Sequence, residues 1–426
     1  MIRKLLVTTL FPLAAFAQGY NSYFTGNTTN ITTNPEFGIC MMGGATEHDN
    51  AMIWLLEKAN GGDVVVLRSS GSNGYNDYLY SELGVPVNSV ETLVITSVEG
   101  ATNPYVLDKV ANAEMIWFAG GDQWNYVSYF KNNALEDLIN NHVNVKHAPI
   151  GGTSAGMAIL GGSYFSAQNG SISSAQALSD PFHPNMSVYL DDFLQLPFLS
   201  NVITDTHYDN PDRRGRHMTF LARLSQIFIK VYGIACNEYV AVCVGEDGLA
   251  HVYGDYPNYQ EFAYFIHNNC ANYAPVDMLQ PGVPLTWDFE GAAIKAYKIP
   301  GTMNGTHYFD LKDWEFGAHS GGSWEDWSVD NGTFLAVAGE LQSCVLSSDE
   351  FAAEEIKLYP MPFTDRFSIS GINPIKVNIH DMQGRKVYEK AVATGEEINA
   401  SGFSSGMYLV VIEGQGKTIT RKIVKN

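Results

Sequence analysis

Short apolar runs alternate with helix-like stretches between residues 37 and 155, and this alternation limits the possible folds more than any other feature of the chain. Strands are predicted at 37–42, 64–67, 93–96, 115–119 and 148–151, and helices at 49–59, 103–112, 124–143 and from residue 155 onward. Strands that alternate with helices predict an α/β fold, in which a parallel sheet is covered on both faces. The chemistry of such a sheet is expected at the carboxyl ends of its strands.

The sequence favours β structure after residue 233. Strand-like runs at 239–244 and 250–253 are separated by Glu246-Asp247-Gly248, which is typical of a hairpin. Residues 301–349 predict a loop-rich β extension, whose tryptophans either pack under the loops, the simpler interpretation, or form a carbohydrate platform. Beyond residue 356, short β runs alternate with turns and predict a small antiparallel sandwich.

The chain is acidic, with 25 basic and 45 acidic residues among 426 and a formal charge of −20. Residues 18–349 hold 13 of the basic and 36 of the acidic residues, a net charge of −23. This balance argues against nucleic acid as a partner and against a basic patch that binds anionic lipid. An acidic surface favours solubility in a salty exterior or, as a sharper hypothesis, the attraction of an arginine-rich substrate.

Residues 1–17 predict a secretory signal peptide. Arg3 and Lys4 precede an apolar run, and Ala15-Phe16-Ala17 forms a cleavage site before Gln18. A transmembrane helix needs about 20 apolar residues, and this run is shorter and contains Pro12. No later segment reaches spanning length, so we expect an exported protein with no membrane span.

Cysteine usage argues against a disulfide scaffold, because an odd number of cysteines leaves at least one unpaired. Cys236 and Cys243 either pair across an antiparallel turn or remain buried thiols. Zinc-site spacings such as C-x-x-C and H-E-x-x-H do not occur, and neither a metal nor another cofactor is expected. The five cysteines are Cys40, Cys236, Cys243, Cys270 and Cys344.

The strongest local motif is Gly152-Thr153-Ser154-Ala155-Gly156, which lies between a predicted strand and a predicted helix. This is the context of a nucleophile elbow, where a sharp turn exposes the serine hydroxyl. Glycines are needed on both flanks because a Cβ there would clash with the close backbones. The helix amino terminus would offer the Ala155 N–H to a developing oxyanion.

A second glycine turn, Gly120-Gly121-Asp122-Gln123, follows the preceding predicted strand. In a parallel sheet it would lie beside Ser154, so the N–H groups of Gly121 and Asp122 could complete an oxyanion hole and Gln123 could point its amide into the cleft. Asp122 could equally cap the helix that follows.

His207 is the candidate base for Ser154, since it follows a short β run at 202–204. Arg213, Arg214 and Arg216 come directly after it. Such a cluster either binds a substrate carboxylate through bidentate contacts or caps a helix predicted at 217–229 and pairs with surface acids.

Taken together, these segments resemble the serine peptidase family of cyanophycinase and α-aspartyl dipeptidase, over residues 37–300. The resemblance implies a flavodoxin-like fold, close to class I glutamine amidotransferases, with Ser154 as nucleophile and His207 as general base. It also implies that Gln123, Asp205, Arg214 and Arg216 help to bind a β-aspartyl-arginine unit. The matching motifs are Gly120-Gly121-Asp122-Gln123, Gly151-Gly152-Thr153-Ser154-Ala155-Gly156, Asp205-Thr206-His207-Tyr208, Arg214-Gly215-Arg216, Ala222-Arg223-Leu224 and Gly233-Ile234-Ala235-Cys236-Asn237-Glu238.

The chain departs from this family in two places. The family carries an acid shortly after the serine, yet residues 169–172 contain none, so the group that orients His207 is Gln168, Asp180 or Glu238. Two extra residues between His207 and Arg214 would displace the arginines.

The C-terminal residues resemble the sorting domain of type IX secretion in Bacteroidota. Residues 358–363, Asp381 with Gly384-Arg385, and residues 406–425 carry the resemblance. It implies that the tail engages the type IX secretion machinery, is cleaved on export, and directs the protein through the periplasm of a Gram-negative bacterium to the cell surface or the medium.

We therefore expect a signal peptide at 1–17, an N-terminal lead at 18–36, a peptidase domain at 37–300, the β extension at 301–349 and a sorting domain at 350–426. The first functional hypothesis is an exported serine peptidase that acts on aspartyl or β-aspartyl peptide bonds. The alternatives are an inactive relative that binds a peptide or glycan, and an α/β-hydrolase esterase. The esterase is disfavoured because the candidate base follows Ser154 by only 53 residues.

Overall fold

The computed structural model describes residues 18–270, 273, 275–341, 357–370, 375–381, 384–393, 395–414 and 417–426. The predicted signal peptide and Cys344 lie outside these residues. The strands are β1 (Tyr20–Gly26), β2 (Ile39–Met42), β3 (Asp63–Arg68), β4 (Ser89–Ile95), β5 (Met115–Phe118), β6 (Ile150–Thr153), β7 (Ser163–Phe165), β8 (Val188–Leu190), β9 (Val202–Asp205), β10 (Tyr232–Cys236), β11 (Ala241–Val244), β12 (Leu249–Tyr253), β13 (Phe262–Asn268), β14 (Ile294–Pro300), β15 (His307–Asp310), β16 (His319–Ser320), β17 (Ser323–Asp330), β18 (Thr333–Ala338), β19 (Lys357–Tyr359), β20 (Arg366–Ser370), β21 (Ile375–Asp381), β22 (Lys386–Val392), β23 (Glu397–Asn399), β24 (Gly406–Gly414) and β25 (Lys417–Lys425). The helices are α1 (Asp49–Glu57), α2 (Val98–Ala101), α3 (Pro104–Asn112), α4 (Gln123–Phe130), α5 (Ala134–Asn144), α6 (Ala155–Ala158), α7 (Ser174–Ser179) and α8 (Arg214–Leu224), and Tyr78–Glu82 forms a π-helical turn.

The first sheet contains the predicted parallel strands. Its order is β1-β4-β3-β5-β6-β2-β11-β12-β15-β16, and the neighbours from β4 to β2 are parallel. These five strands are fully buried apart from the end of β3, as expected where both faces of a sheet are covered. The mixed α/β expectation is therefore confirmed, and β1 and β11 extend the sheet with antiparallel pairs.

A second sheet begins directly after the serine motif. Its order is β18-β17-β14-β13-β10-β9-β7-β8, and α6 is the single turn that leads from β6 in the first sheet to β7 in the second. Within it β9 is parallel to β7 and to β10. The sequence predicts a parallel sheet from the strands up to residue 151 and does not assign the later strands to a second sheet, so the division into two is a finding of the structure.

Helix limits differ from the expectations by a few residues. The helix expected at 217–229 is α8, which begins at Arg214 and ends at Leu224. The stretch at 124–143 forms two helices, α4 and α5, and the second is capped by the side chain of Asn133. The hairpin expected around Glu246-Asp247-Gly248 joins the antiparallel strands β11 and β12.

The described part of the predicted extension, residues 301–341, contains more regular structure than a loop-rich segment, because β15 to β18 add to the edges of both sheets. The tryptophans of this segment pack inward: Trp314 stacks on Tyr232 at 4.6 Å between ring centroids, and Trp327 is fully buried. This burial favours the packing interpretation over a carbohydrate platform. Trp314, Trp324 and Trp327 all lie in hydrophobic clusters.

Three of the cysteines are buried free thiols, namely Cys40, Cys236 and Cys243. The alternative of a bond between Cys236 and Cys243 is wrong. Cys243 instead lies opposite Cys40 on β2, with the two Sγ atoms 3.6 Å apart.

The C-terminal residues form two small antiparallel sheets, β19-β20-β23 and β22-β21-β24-β25, as the alternation of β runs and turns predicts. They enclose a hydrophobic cluster that includes Phe363, Val377 and Val410. Across the described part of the chain, no helix has the length and apolar character needed to cross a membrane.

Candidate active site

The carboxyl ends of β2 and β6 place Ser154 beside a two-glycine turn. The two strands are parallel, with Met42 opposite Thr153, so Gly43 and Ser154 are the next residues on adjacent strands. The Ser154 N–H donates to the Met42 carbonyl at 3.0 Å. The sheet register therefore fixes the serine against the start of the loop that follows β2.

Ser154 has the strained backbone of a nucleophile elbow, with φ 52° and ψ −117°. A positive φ is uncommon for a residue with a Cβ, and it persists only where the surrounding structure enforces it. The flanking glycines permit the close packing that holds this turn: a Cβ on Gly152 would lie 2.6 Å from the Gly156 carbonyl carbon, and one on Gly156 would lie 2.3 Å from the Phe118 oxygen. This is the close backbone approach that the motif predicts.

His207 reaches Ser154 from the second sheet. Its Nε2 atom is 2.7 Å from Ser154 Oγ, which is hydrogen-bond distance. The backbone N–H of His207 donates to the Gly43 carbonyl at 2.8 Å, and a Cβ on Gly44 would lie 2.4 Å from the imidazole ring. The turn after β2 thus holds both the backbone and the ring of His207.

Glu238 lies behind the imidazole, with Oε1 2.7 Å from His207 Nδ1. Strands β9 and β10 are parallel with Asp205 opposite Ala235, so the segments that follow them, with His207 and Glu238, emerge at the same edge. The hydrogen bond from His207, followed by that from Asn210 and the positive charges of His207 and Arg213, lowers the pKa of Glu238 below its ordinary value. A carboxylate that stays ionised suits a group that orients an imidazole.

The other two candidates for this position lie elsewhere. Gln168 accepts a hydrogen bond from the Tyr189 hydroxyl. Asp180 accepts the N–H groups of Phe182 and Gly282 at 3.0 and 2.9 Å. Of the three, the structure brings only Glu238 to His207.

The turn Gly120-Gly121-Asp122-Gln123 lies beside the serine as expected. A Cβ on Gly120 would be 3.4 Å from Ser154 Cβ. Asp122 caps α4 by accepting the Trp124 N–H at 2.9 Å, so the capping interpretation is confirmed. The Gln123 amide donates to the Phe165 carbonyl at 3.4 Å, and Ala155 opens α6 next to the serine.

The arginine cluster has internal partners. Arg216 forms a two-bond pair with Asp205, and both side chains are buried. Burial raises the pKa of Asp205, but the charge and hydrogen bonds of Arg216 outweigh it and lower the pKa overall. Arg214 pairs with Asp212 at the surface, with 2.7 Å between Nη2 and Oδ2, and Arg213 donates to the Thr206 carbonyl at 3.0 Å.

Three contributors to this arrangement are absent from the expectations drawn from sequence. Gly43-Gly44 packs on His207, Asn210 donates to Glu238 at 3.3 Å, and Asp209 accepts the Glu238 N–H at 3.1 Å. The sequence signal for the first contributor was the glycine pair directly after β2. The contacts of Asn210 and Asp209 depend on loop geometry. In the described residues, no group of three or more His, Cys, Asp and Glu side chains is arranged to hold a metal ion.

Comparison with known proteins finds family matches in two parts of the chain. Residues 75–251, which include Ser154, His207 and Glu238, match the family profile of peptidase family S51. Residues 357–426 match that of a secretion system C-terminal sorting domain. Both resemblances drawn from the sequence are confirmed, and the sorting domain indicates export from a Gram-negative bacterium to the cell surface or beyond.

No curated protein gives a significant match to the chain. Among solved structures, a peptidase from an acI-B1 actinobacterium is 16% identical with a TM-score of 0.38, and covers 52% of this chain and 89% of its own. A putative peptidase E protein from Listeria monocytogenes EGD-e is 14% identical with a TM-score of 0.34, over 51% of this chain and 97% of its own. Dimeric latent PorU from Porphyromonas gingivalis is 16% identical with a TM-score of 0.14, over 44% of this chain and 18% of its own.

Proposed function

We propose that the chain is an exported serine peptidase, similar to cyanophycinase, that hydrolyses aspartyl or β-aspartyl peptide bonds. One observation carries the proposal: Ser154 Oγ, the His207 ring and the Glu238 carboxylate form a continuous hydrogen-bonded series with 2.7 Å at each step. A serine whose hydroxyl contacts an imidazole that is itself held by a carboxylate is the arrangement that activates serine as a nucleophile.

The reaction follows from this geometry. Ser154 Oγ attacks the scissile carbonyl carbon while its proton passes to His207 Nε2, and Glu238 holds the opposite nitrogen and stabilises the imidazolium. The tetrahedral intermediate collapses when the C–N bond breaks, and His207 gives the proton to the departing amine. Water, deprotonated by His207, then attacks the acyl-serine ester. The acyl–Oγ bond breaks as His207 returns that proton to Ser154 Oγ, which releases the acid and the free serine.

The roles of the other site residues are proposed from where these residues lie relative to Ser154. The N–H groups of Gly121, Asp122 and Ala155 would hold the oxyanion, since both glycine-containing turns meet at Ser154. Gln123 and Arg214 would contact the substrate. For Asp205 and Arg216 the buried mutual pair supports a structural contribution, and any effect on an arginine-rich or β-aspartyl peptide would be indirect.

We also propose the domain limits and the finer fold class. The limits are 18–36 for the N-terminal lead, 37–300 for the peptidase domain, 301–349 for the extension and 350–426 for the sorting domain. The parallel order β4-β3-β5-β6 supports a flavodoxin-like core, in which β2, the first of the parallel strands along the chain, occupies the position next to β6.

The proposal is tested with the purified mature protein, a panel of Asp-X dipeptides, and β-aspartyl-arginine. We expect hydrolysis of at least one class, covalent labelling of Ser154 by a fluorophosphonate, and loss of both in Ser154→Ala. Full activity in Ser154→Ala would contradict the proposal. Absence of both labelling and hydrolysis, with measurable peptide affinity, would point to an inactive binding protein, and faster turnover of simple acyl esters would point to an esterase.

A further inference from the structure

Two serine hydroxyls lie next to the glycine turn that contacts Ser154. Strands β3 and β5 are parallel neighbours with Leu67 opposite Phe118, so the loops that follow them are adjacent. A Cβ built on Gly121 would be 3.5 Å from Ser69 Oγ and 3.8 Å from Ser70 Oγ, and nothing else would lie within 4 Å of it. The turn therefore lies against the nucleophile at Gly120 and against the two serine hydroxyls at Gly121, which is exposed.

Ser69 carries an unused hydrogen-bonding group at this position. The residue is 5% exposed, and its Oγ atom has no hydrogen-bond partner among the described residues. A buried hydroxyl without a partner costs about 1–3 kcal/mol, and such groups in folded proteins usually have a specific reason. An oxygen atom of a substrate bound against Gly121 and Ser69 would accept this hydrogen bond.

Arg68 brings positive charge to the same loop. Its Nε donates to the Ser70 carbonyl at 2.9 Å and its Nη1 to the Ser72 carbonyl at 3.2 Å, which folds the loop around the guanidinium. Within the part of the chain that the structure describes, no carboxylate pairs with Arg68. The nearby Glu47 is instead bonded to the hydroxyl of Tyr75, whose ring centroid lies 5.7 Å from Arg68 Cζ. An arginine without an acidic partner is notable in a body with 36 acidic and 13 basic residues.

We propose that Arg68, Ser69 and Ser70 form a carboxylate-binding subsite that holds the free carboxylate of the aspartyl residue whose bond is cleaved. A charged guanidinium and hydroxyl donors are suited to a carboxylate. In an α-aspartyl bond and in a β-aspartyl bond alike, the scissile carbonyl and the free carboxylate are separated by the same two carbons, Cα and Cβ. One subsite beside the oxyanion turn therefore serves both linkages. The inference rests on the proposed function and specifies how its substrate is recognised.

Binding to Ser154→Ala protein, which cannot turn over, tests the subsite directly. The probes are Asp-Leu, isoAsp-Leu and the neutral isostere Asn-Leu, with dissociation constants measured by calorimetry. We expect both aspartyl peptides to bind at least about tenfold more tightly than Asn-Leu, as for a hydrogen bond to a charged group. Adding Ser69→Ala should reduce this preference to about threefold or less, whereas Ser72→Ala, in the same loop, should leave it unchanged. Equal affinity for Asp-Leu and Asn-Leu, or an equal loss for both in Ser69→Ala, would overturn the proposal.

Fluorophosphonate labelling of the protein with Ser154 intact separates this inference from the proposed function. A reagent without a carboxylate should label Ser69→Ala at the native rate, because the nucleophile is untouched. If Ser154 is labelled but Asp-Leu binds no more tightly than Asn-Leu, the subsite is refuted and the proposed peptidase function stands. If the protein prefers Asp-Leu to Asn-Leu through Ser69 but is neither labelled at Ser154 nor able to hydrolyse the peptides, the peptidase function is refuted and the subsite stands. Thermal unfolding should show Ser69→Ala to be at least as stable as the native protein, since only an unpaired hydroxyl is removed.

Discussion

Glu238 is the residue on which the proposed mechanism most directly depends. Glu238→Gln keeps a group of the same shape behind His207 but removes the charge that stabilises the imidazolium. We expect kcat to fall by about 10³- to 10⁴-fold with little change in KM, as when the acid of a serine peptidase triad is replaced by its amide. Steady-state kinetics on the best substrate of the aspartyl panel would measure this.

Gln168→Ala and Asp180→Asn are the matched controls, because these residues are the rival candidates for the same position. Neither side chain contacts His207, so each variant should keep kcat within about threefold of the native value. If Asp180→Asn lost activity as severely as Glu238→Gln, the assignment of the acid to Glu238 would be wrong.

From sequence, Ser154 and His207 are the candidate nucleophile and base, whereas three residues remain as candidates for the acid, and the reason is physical. The position of the serine is indicated by the spacing of the glycines around a tight turn, and a short stretch of sequence can encode that spacing. Glu238 reaches His207 only because β9 and β10 pair in parallel with Asp205 opposite Ala235. That register is a long-range contact, and no local pattern specifies it.

At the scale of elements, the loop between β2 and α1 positions the proposed base. Gly44→Ala would place a Cβ 2.4 Å from Cε1 and Nε2 of His207, at a residue with φ +115°. The ring must then move, and a displacement of about 1 Å in a catalytic group can cost about a hundredfold in rate. We expect kcat/KM to fall by that order, measured with the same peptide.

Gly84→Ala controls for backbone strain, because Gly84 has φ +72° and open space where a Cβ would lie. Both variants should lose about 1 kcal/mol of unfolding free energy from the positive φ. Only Gly44→Ala should lose activity. Comparable activity losses in the two would mean that strain, rather than contact with the imidazole, is responsible.

Helix α8 offers a test of whether Arg216 is structural. Arg216→Met leaves Asp205 buried without its partner, and removal of one member of a buried pair costs about 3–5 kcal/mol. Arg214→Met, on the same helix, breaks a surface pair whose side chains are 31% and 52% exposed, and should cost less than about 1 kcal/mol. Urea denaturation of the two variants measures both losses of unfolding free energy. A stable Arg216→Met protein with a raised KM would favour direct substrate contact instead.

The elements themselves were largely predictable, and the exceptions have identifiable causes. Buried parallel strands have distinctive sequences, since β5 is apolar along its whole length and β3 is apolar from Val64 to Leu67. The regular strands β15 to β18 were expected only as a loop-rich β extension. They are added at the outer ends of the two sheets, where polar residues alternate with aromatic rings that pack on one side.

For the whole molecule, the division into two sheets explains where the site lies. The chain leaves the first sheet immediately after Ser154, and His207 and Glu238 return from the second sheet to meet it. The turn at Gly43-Gly44 joins them, since its backbone bonds to His207, Tyr239 and Val240. The candidate site is thus a product of the packing between sheets, which the order of strands along the sequence does not reveal.

The acidity of the body predicts a salt-dependent encounter with cationic substrates. Residues 18–349 carry a net charge of −23, and such a field raises the association rate of positively charged partners at low ionic strength. The association rate constant of an arginine-rich β-aspartyl peptide should therefore fall as salt is added, and that of Asp-Leu should not. Stopped-flow measurements on Ser154→Ala protein distinguish the two, and a salt-independent rate for the cationic peptide would contradict the prediction.

The stability of the whole molecule should decrease in mild acid because of three buried histidines. Burial lowers the pKa of His142, His217 and His267 to about 4. In the unfolded chain the same imidazoles take up protons near pH 6.5. Between these two values the unfolded state binds more protons than the folded one, so the free energy of unfolding falls as the pH decreases from about 6.5 towards 4.

Each of these histidines contributes up to about 1.4 kcal/mol per pH unit to that slope. His142→Gln keeps a donor near the Pro149 carbonyl, which His142 Nε2 contacts at 3.0 Å, but removes one titrating ring. Urea denaturation at several pH values should give a slope shallower by about that amount between pH 6 and 4.5, and parallel curves above pH 7, where these imidazoles are neutral in both states. Identical slopes in the acid range would show that His142 is protonated as readily in the folded protein as in the unfolded chain.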